Sequence, residues 1–206
     1  MAKQTYQENL RRAWVRRMSR WPLVPKIRSQ KKWQAGLAHH EVGHAVLYAI
    51  CGFDINYVSI IDEADRDGYC QVNAKADYRS SGDVWIALSG VVAEARYLQC
   101  GIFSISPDTW RTDWRNAHER ISADLGRPPR KGILKGWNDD PEMDTAIKKA
   151  FTDTRRLVVE NWYLIERVAH ALLERGRLDG DEVLHLCGRL SPLKPSAILA
   201  QKMVAL

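Results

Sequence analysis

The chain has 206 residues, enough for one domain with a real core or for one domain plus an arm. No run approaches 18 consecutive apolar residues, which argues against a membrane-spanning helix, and the first residues lack the apolar stretch and cleavage site of a secretory signal. Charge is uneven: residues 1–32 carry ten Lys/Arg against Glu8 alone, a balance of +9, while the other 174 residues hold 21 basic and 24 acidic side chains, −3, which argues against a broad phosphate-binding face on the body. Nucleic acid is therefore not the expected partner. Cys51, Cys70, Cys100 and Cys187 form no C-x-x-C pair, and without a signal they read as reduced thiols of a cytoplasmic protein.

In chain order, residues 1–32 are a basic N-terminal arm, 33–190 the body and 191–206 a C-terminal tail. In the arm, Leu10, Trp14 and Met18 recur every four residues and favour a short basic helix. The plain expectation is a solvated or packing lead-in; docking to an acidic partner or an anionic surface is the functional one. A helix is predicted from about Gln34 to Ile50, stopping at Cys51-Gly52. Two short strands follow, Tyr57 to Ile61 and Gly68 to Val72, around a polar loop containing Glu63, and so small a hairpin must pack on helices. The next helix runs from Ser81 or Gly82 to Cys100, with Val84, Leu88, Val91, Val92, Ala95 and Leu98 inward and Gly90 and Ala93 permitting close helix approach. A third starts near Pro107-Asp108 and presents Trp110, Trp114, Ala117, Ile121 and Leu125 on one face. After a Gly-containing loop, Asp140-Pro141 reads as N-cap and first position of a long helix that breaks near Asn161 and ends at Gly176. Asp179 and Glu182 cap a last helix through Leu190. The expected fold class is mainly α, with a small β-hairpin or sheet and a C-terminal helical portion.

The first predicted helix holds Ala38-His39-His40-Glu41-Val42-Gly43-His44-Ala45-Val46, which contains His-Glu-x-x-His. Residues four apart share a helix face, so His40 and His44 can point at one ion. Glu41 lies about 100° round the helix, beside the ion, where it can take a proton from a water held there. The flanking residues are apolar or small, so the helix is buried, and buried imidazoles and a buried carboxylate need partners. A core helix with two hydrogen-bonded histidines is the bland alternative.

A catalytic zinc site needs a third protein ligand and an open position. Glu63, Glu94, Asp108 and Asp113 are the carboxylates to weigh. Glu63 sits in a polar loop and Asp108 looks like a helix-start residue. Asp113 borders the Trp110/Trp114/Ala117 stripe, where a carboxylate is costly unless paired or coordinated, which ranks it ahead of Glu94 without removing Glu94.

The string from Ala38 to Ala45 resembles the zinc motif of FtsH-type (M41) metallopeptidases, and later landmarks follow in the same order. Val58-Ser59-Ile60 followed by Gly68-Tyr69 is similar to that family's β segments, and Leu88-Ser89-Gly90-Val91-Val92-Ala93-Glu94 to its Gly-Gly-x-Ala-Ala-Glu helix. Thr112-Asp113-Trp114-Arg115-Asn116-Ala117 resembles its Asn-Asp-Leu-x-x-Ala segment, and Leu178-Asp179-Gly180-Asp181-Glu182-Val183 its helical end. The resemblance covers about residues 36–190. It implies a helical zincin-like peptidase domain without the ATPase module, with Zn2+ held by His40, His44 and Asp113. It also implies a polypeptide substrate, delivered already flexible or by a separate ATPase or adaptor. Whether the chain forms a homo-oligomer stays open, because a basic arm stands where the ATPase would join.

The expected activity is therefore hydrolysis of peptide bonds in flexible or unfolded polypeptides, with Glu41 as general base. Tyr57, Val58, Ser59 and Ile60 are expected to offer an edge strand to the substrate. The alternative is a catalytically idle module of the same fold, docking to a partner through its basic arm; a purely structural zinc site has no use for Glu41.

Overall fold

Trp33, Leu37, Ala38, Val42, Ala45 and Val46 are all buried along one helix, α1 (Gln30–Ile50), which has apolar residues on nearly every side. In the computed structural model this helix is the axis of the protein, as a helix without a polar face must be. The model describes residues 30–61, 68–72, 82–102, 105, 107–128 and 140–188. The arm as far as residue 29, the loop holding Glu63, the loop 129–139 and the tail lie outside the described residues, as do the side chains of Asp108 and Trp110. The helix begins about one turn earlier than expected. Trp33 explains this, because its nearly complete burial draws the first turn into the core.

The described residues are mainly helical, with six helices and a three-stranded antiparallel sheet. After α1 come β1 (Ile55–Ser59), β2 (Tyr69–Val72), α2 (Gly82–Leu98), α3 (Pro107–Asp124), α4 (Pro141–Glu160), α5 (Trp162–Arg175), β3 (Arg177–Asp179) and α6 (Gly180–Leu186). None of these helices is long and apolar enough to cross a membrane. α1 packs on α2, α5 and the sheet, and α2 packs on α3 and α4, so the two innermost helices share one core.

The sheet runs β2-β1-β3, with Val58 opposite both Cys70 and Leu178. β1 stops at Ser59, short of the expected Ile61, because Tyr69 and Arg177 are its last partners on either side. β3 is unannounced in the sequence: Arg177 and Asp179 flank a single inward residue, Leu178, too few for an alternating pattern. Helix ends follow local chemistry. The Asp140 carboxylate accepts the Met143 N–H ahead of Pro141. Asn161 separates α4 from α5, and Gly176 ends α5 with φ 79° in the left-handed region. Glu182 accepts the Asp179 N–H, forming the expected capping box.

The close contact between α1 and α2 depends on Gly43. A Cβ at this position would lie 2.7 Å from the Ser89 carbonyl oxygen and 2.9 Å from the Ala93 Cβ, so any side chain pushes the helices apart. Gly43→Ala is expected to cost about 1–3 kcal/mol of stability through overpacking, seen as a lower urea midpoint by circular dichroism with an unchanged slope.

Candidate metal centre

His40 and His44 are one turn apart on α1, and their rings are held from α2. The His44 Nδ1 donates to the Ile86 carbonyl oxygen at 2.8 Å, and the His40 Nδ1 donates to Glu94 Oε2 at 3.0 Å. A carbonyl can only accept, so His44 carries its hydrogen on Nδ1, and the ionised Glu94 assigns His40 the same way. In the neutral rings both Nε2 atoms are then bare lone pairs. They face each other at 3.3 Å, and Asp113 Oδ2 from α3 lies 3.0 Å from His40 Nε2 and 3.4 Å from His44 Nε2. Three electron-pair donors thus converge inside the protein on a triangle with edges of 3.0 to 3.4 Å.

A single proton bridges one pair of this triangle at a time, whereas a central cation satisfies all three atoms. Bonds of about 2.0–2.2 Å in tetrahedral geometry place ligand atoms roughly 3.3 Å apart, which fits the observed edges. His40, His44 and Asp113 therefore form a group that could hold a metal ion. Of the sequence's two leading carboxylates, Asp113 faces the shared point, while Glu94 orients His40 from behind and is nearly fully buried. Gly90 supplies the space: a Cβ there would lie 2.3 Å from His44 Nε2 and 2.7 Å from His40 Nε2.

The charges reinforce one another. Burial disfavours a charged His40, but its bonds to Asp113 and Glu94 outweigh that and hold the ring up to about 10. Burial likewise opposes charge on His44, and Asp113 overcomes it, so this ring is raised too. For Asp113, the cost of burial is overcome by His44 and His40, and its carboxyl is held below the usual range. Burial pushes the Glu41 carboxyl up, with the two histidines pulling the other way. His39 points away from the group. Its Nδ1 lies 2.6 Å from the Ala35 carbonyl oxygen, its ring stacks on Tyr97, and burial lowers its pKa.

The group opens into a cleft of about 1080 Å³ that Glu41 also lines. One wall is β2 with Gly68, and the other is α3. The chain at Gly68 passes close over Glu41, since a Cβ there would come within 2.8 Å of Oε1. The expected edge strand needs correction. β1 is the central strand, paired on both sides, and Val58, Ser59 and Ile60 are buried, so Tyr57, Val58, Ser59 and Ile60 offer no free edge. β2 takes that place at the cleft. The sequence also leaves the Ile86 carbonyl unsignalled, since any residue type supplies one; Gly90 was flagged by the small-residue stretch around it. No protein-family model matches the chain, and no curated protein is detectably similar to it.

Two outcomes follow from this arrangement. Because His40 holds its proton up to about 10 in the metal-free protein, metal and proton compete. Metal affinity is expected to rise with pH across the neutral range, with net proton release at pH 7, measured by calorimetry in buffers of different ionisation enthalpy. Glu94→Gln, which removes the charge behind His40 while keeping an acceptor, should weaken metal binding by about 10- to 100-fold in competition with a chromogenic chelator.

Proposed function

We propose that the protein is a zinc-dependent endopeptidase with a zincin-like fold of the FtsH-type (M41) kind. It acts on flexible or unfolded polypeptides and works without an ATPase module of its own. The observation that carries this reading is the convergence of His40 Nε2, His44 Nε2 and Asp113 Oδ2 beside a cleft that Glu41 lines. Two imidazoles and a carboxylate also suit non-haem iron. The buried carboxyl of Glu41, next in sequence to His40, favours hydrolysis, because a base beside the ligands has a direct use there.

His40, His44 and Asp113 would hold the Zn2+, which when bound supplies Lewis acidity to an attacking water and to a substrate carbonyl. The chain's own residues do the rest. Glu94 and the Ile86 carbonyl fix the two rings so that each presents Nε2. Glu41 accepts a proton from the attacking water at its carboxylate and returns it to the leaving amine. Burial raises its pKa toward the value at which both transfers are favourable. The β2 edge offers backbone N–H and C=O groups to an extended chain, which suits sequence-tolerant binding. A separate ATPase or adaptor would be needed only for folded substrates.

The test pairs metal content with cleavage of a denatured protein. Wild type is expected to hold about one zinc per chain and to cut. Glu41→Gln should keep the metal and lose at least about 100-fold in kcat/KM, and His44→Ala should lose both. Undiminished cleavage by Glu41→Gln sinks the reading.

A further inference from the structure

The cleft wall opposite β2 carries charges that the metal group does not use. Along α3, Asp113, Asn116 and Arg120 form one stripe at spacings of three and four, and Arg115 and Glu119 stand four apart on the next; all five line the cleft. Asp113 belongs to the metal group, and Arg120 is within 3.5 Å of Asp124. Arg115 and Glu119 are both exposed, and among the described residues neither forms an ion pair or hydrogen bond, even with the other. Their order contributes to this, because a cation four residues before a glutamate is the weaker arrangement on a helix. An isolated guanidinium and an isolated carboxylate therefore face the space in which a substrate would lie.

Their spacing matches an extended chain. Four helical residues rise about 6 Å, and side chains on the same face of a strand recur every two residues, roughly 6.6–6.8 Å. Two alternate side chains of a segment laid against β2 can thus reach Arg115 and Glu119 together. Arg115 comes two residues after Asp113 and Glu119 six, so along the helix axis the cation sits about 3 Å from the metal group and the carboxylate about 9 Å. Like-charge pairing on either would be penalised, so the pair reads charge order as well as charge sign.

We infer that the cleft selects extended segments with an acidic side chain beside the scissile bond and a basic side chain two residues further from it, read by Arg115 and Glu119 respectively. This rests on the peptidase reading of the metal centre. Backbone pairing with β2 then supplies general affinity, and the α3 wall supplies preference. Exposed ion pairs are individually weak, so the effect is a bias rather than an absolute requirement.

The test uses two fluorogenic peptides of identical composition, one carrying Asp-x-Lys and the other Lys-x-Asp in an otherwise neutral chain. Zinc-loaded wild type is expected to favour one of them by about three- to tenfold in kcat/KM. Mass spectrometry of the products should place the aspartate nearer the cut. The double exchange Arg115→Glu with Glu119→Arg should invert the preference. Anisotropy measurements of peptide affinity to the zinc-loaded Glu41→Gln protein, with and without the same exchange, should show the same inversion without turnover. If both peptides are handled alike, or the preference survives the exchange, while a denatured protein is still cut, the charge code is overturned and the peptidase reading stands. If wild type cuts neither the peptides nor the denatured protein, the peptidase reading fails and the code with it.

Discussion

Three electron-pair donors meeting inside a protein are unfavourable unless a positive charge lies among them, and the rest of this structure is arranged around that meeting point. His40 and His44 come from α1 and Asp113 from α3, yet α2, which contributes no donor to the triangle, sets its geometry. The Ile86 carbonyl and Glu94 each take up an Nδ1 hydrogen, which fixes the tautomer and turns Nε2 inward. The approach of α2 to α1 is what makes this possible. Gly43 on one helix and Gly90 on the other leave room, at the first for backbone and at the second for the imidazoles themselves. Fold and site therefore share a single packing contact.

The parts of this arrangement legible in the sequence are those with a strict local rule. Residues four apart on a helix share a face, so the His40/His44 pair could be read from spacing alone. Asp140-Pro141, Gly176 and the Asp179/Glu182 box mark helix ends by chemistry confined to a few residues. The choice between Asp113 and Glu94 was harder, because both are carboxylates on buried helices separated from His40 by many residues. The family resemblance favoured Asp113, and its position facing both Nε2 atoms agrees. Glu94's task, receiving the proton on the far side of His40, depends on how α1 and α2 cross, which neither helix encodes by itself.

The sheet shows the opposite case. Tyr57 to Ile60 look like one arm of a hairpin, and a hairpin has two free edges. A third strand of only three residues, carried by the chain between α5 and α6, occupies one of them. Leu178 alone fills the inward position, so no periodicity marks it. Strand order is a property of long-range pairing, and the error about which strand faces the cleft follows directly from that missing strand.

The two walls of the cleft carry different kinds of information. β2 presents backbone, which is the same for every residue, whereas α3 presents side chains, which are not. Burial separates them further. Asp113 is partly covered and bound to two rings, so its charge is committed to the centre, while Arg115 and Glu119 remain in water and keep theirs available. Solvent weakens what these outer charges can contribute, but it also frees them from any structural duty. Helix α3 can thus hold the metal group with one residue and vary its outer stripe without disturbing the core, because Trp114, Ala117 and Ile121 bury the side of the helix that the stability of the protein depends on. Metal chemistry, core packing and recognition occupy three faces of one helix, and only the last of these is free to change without cost to the others.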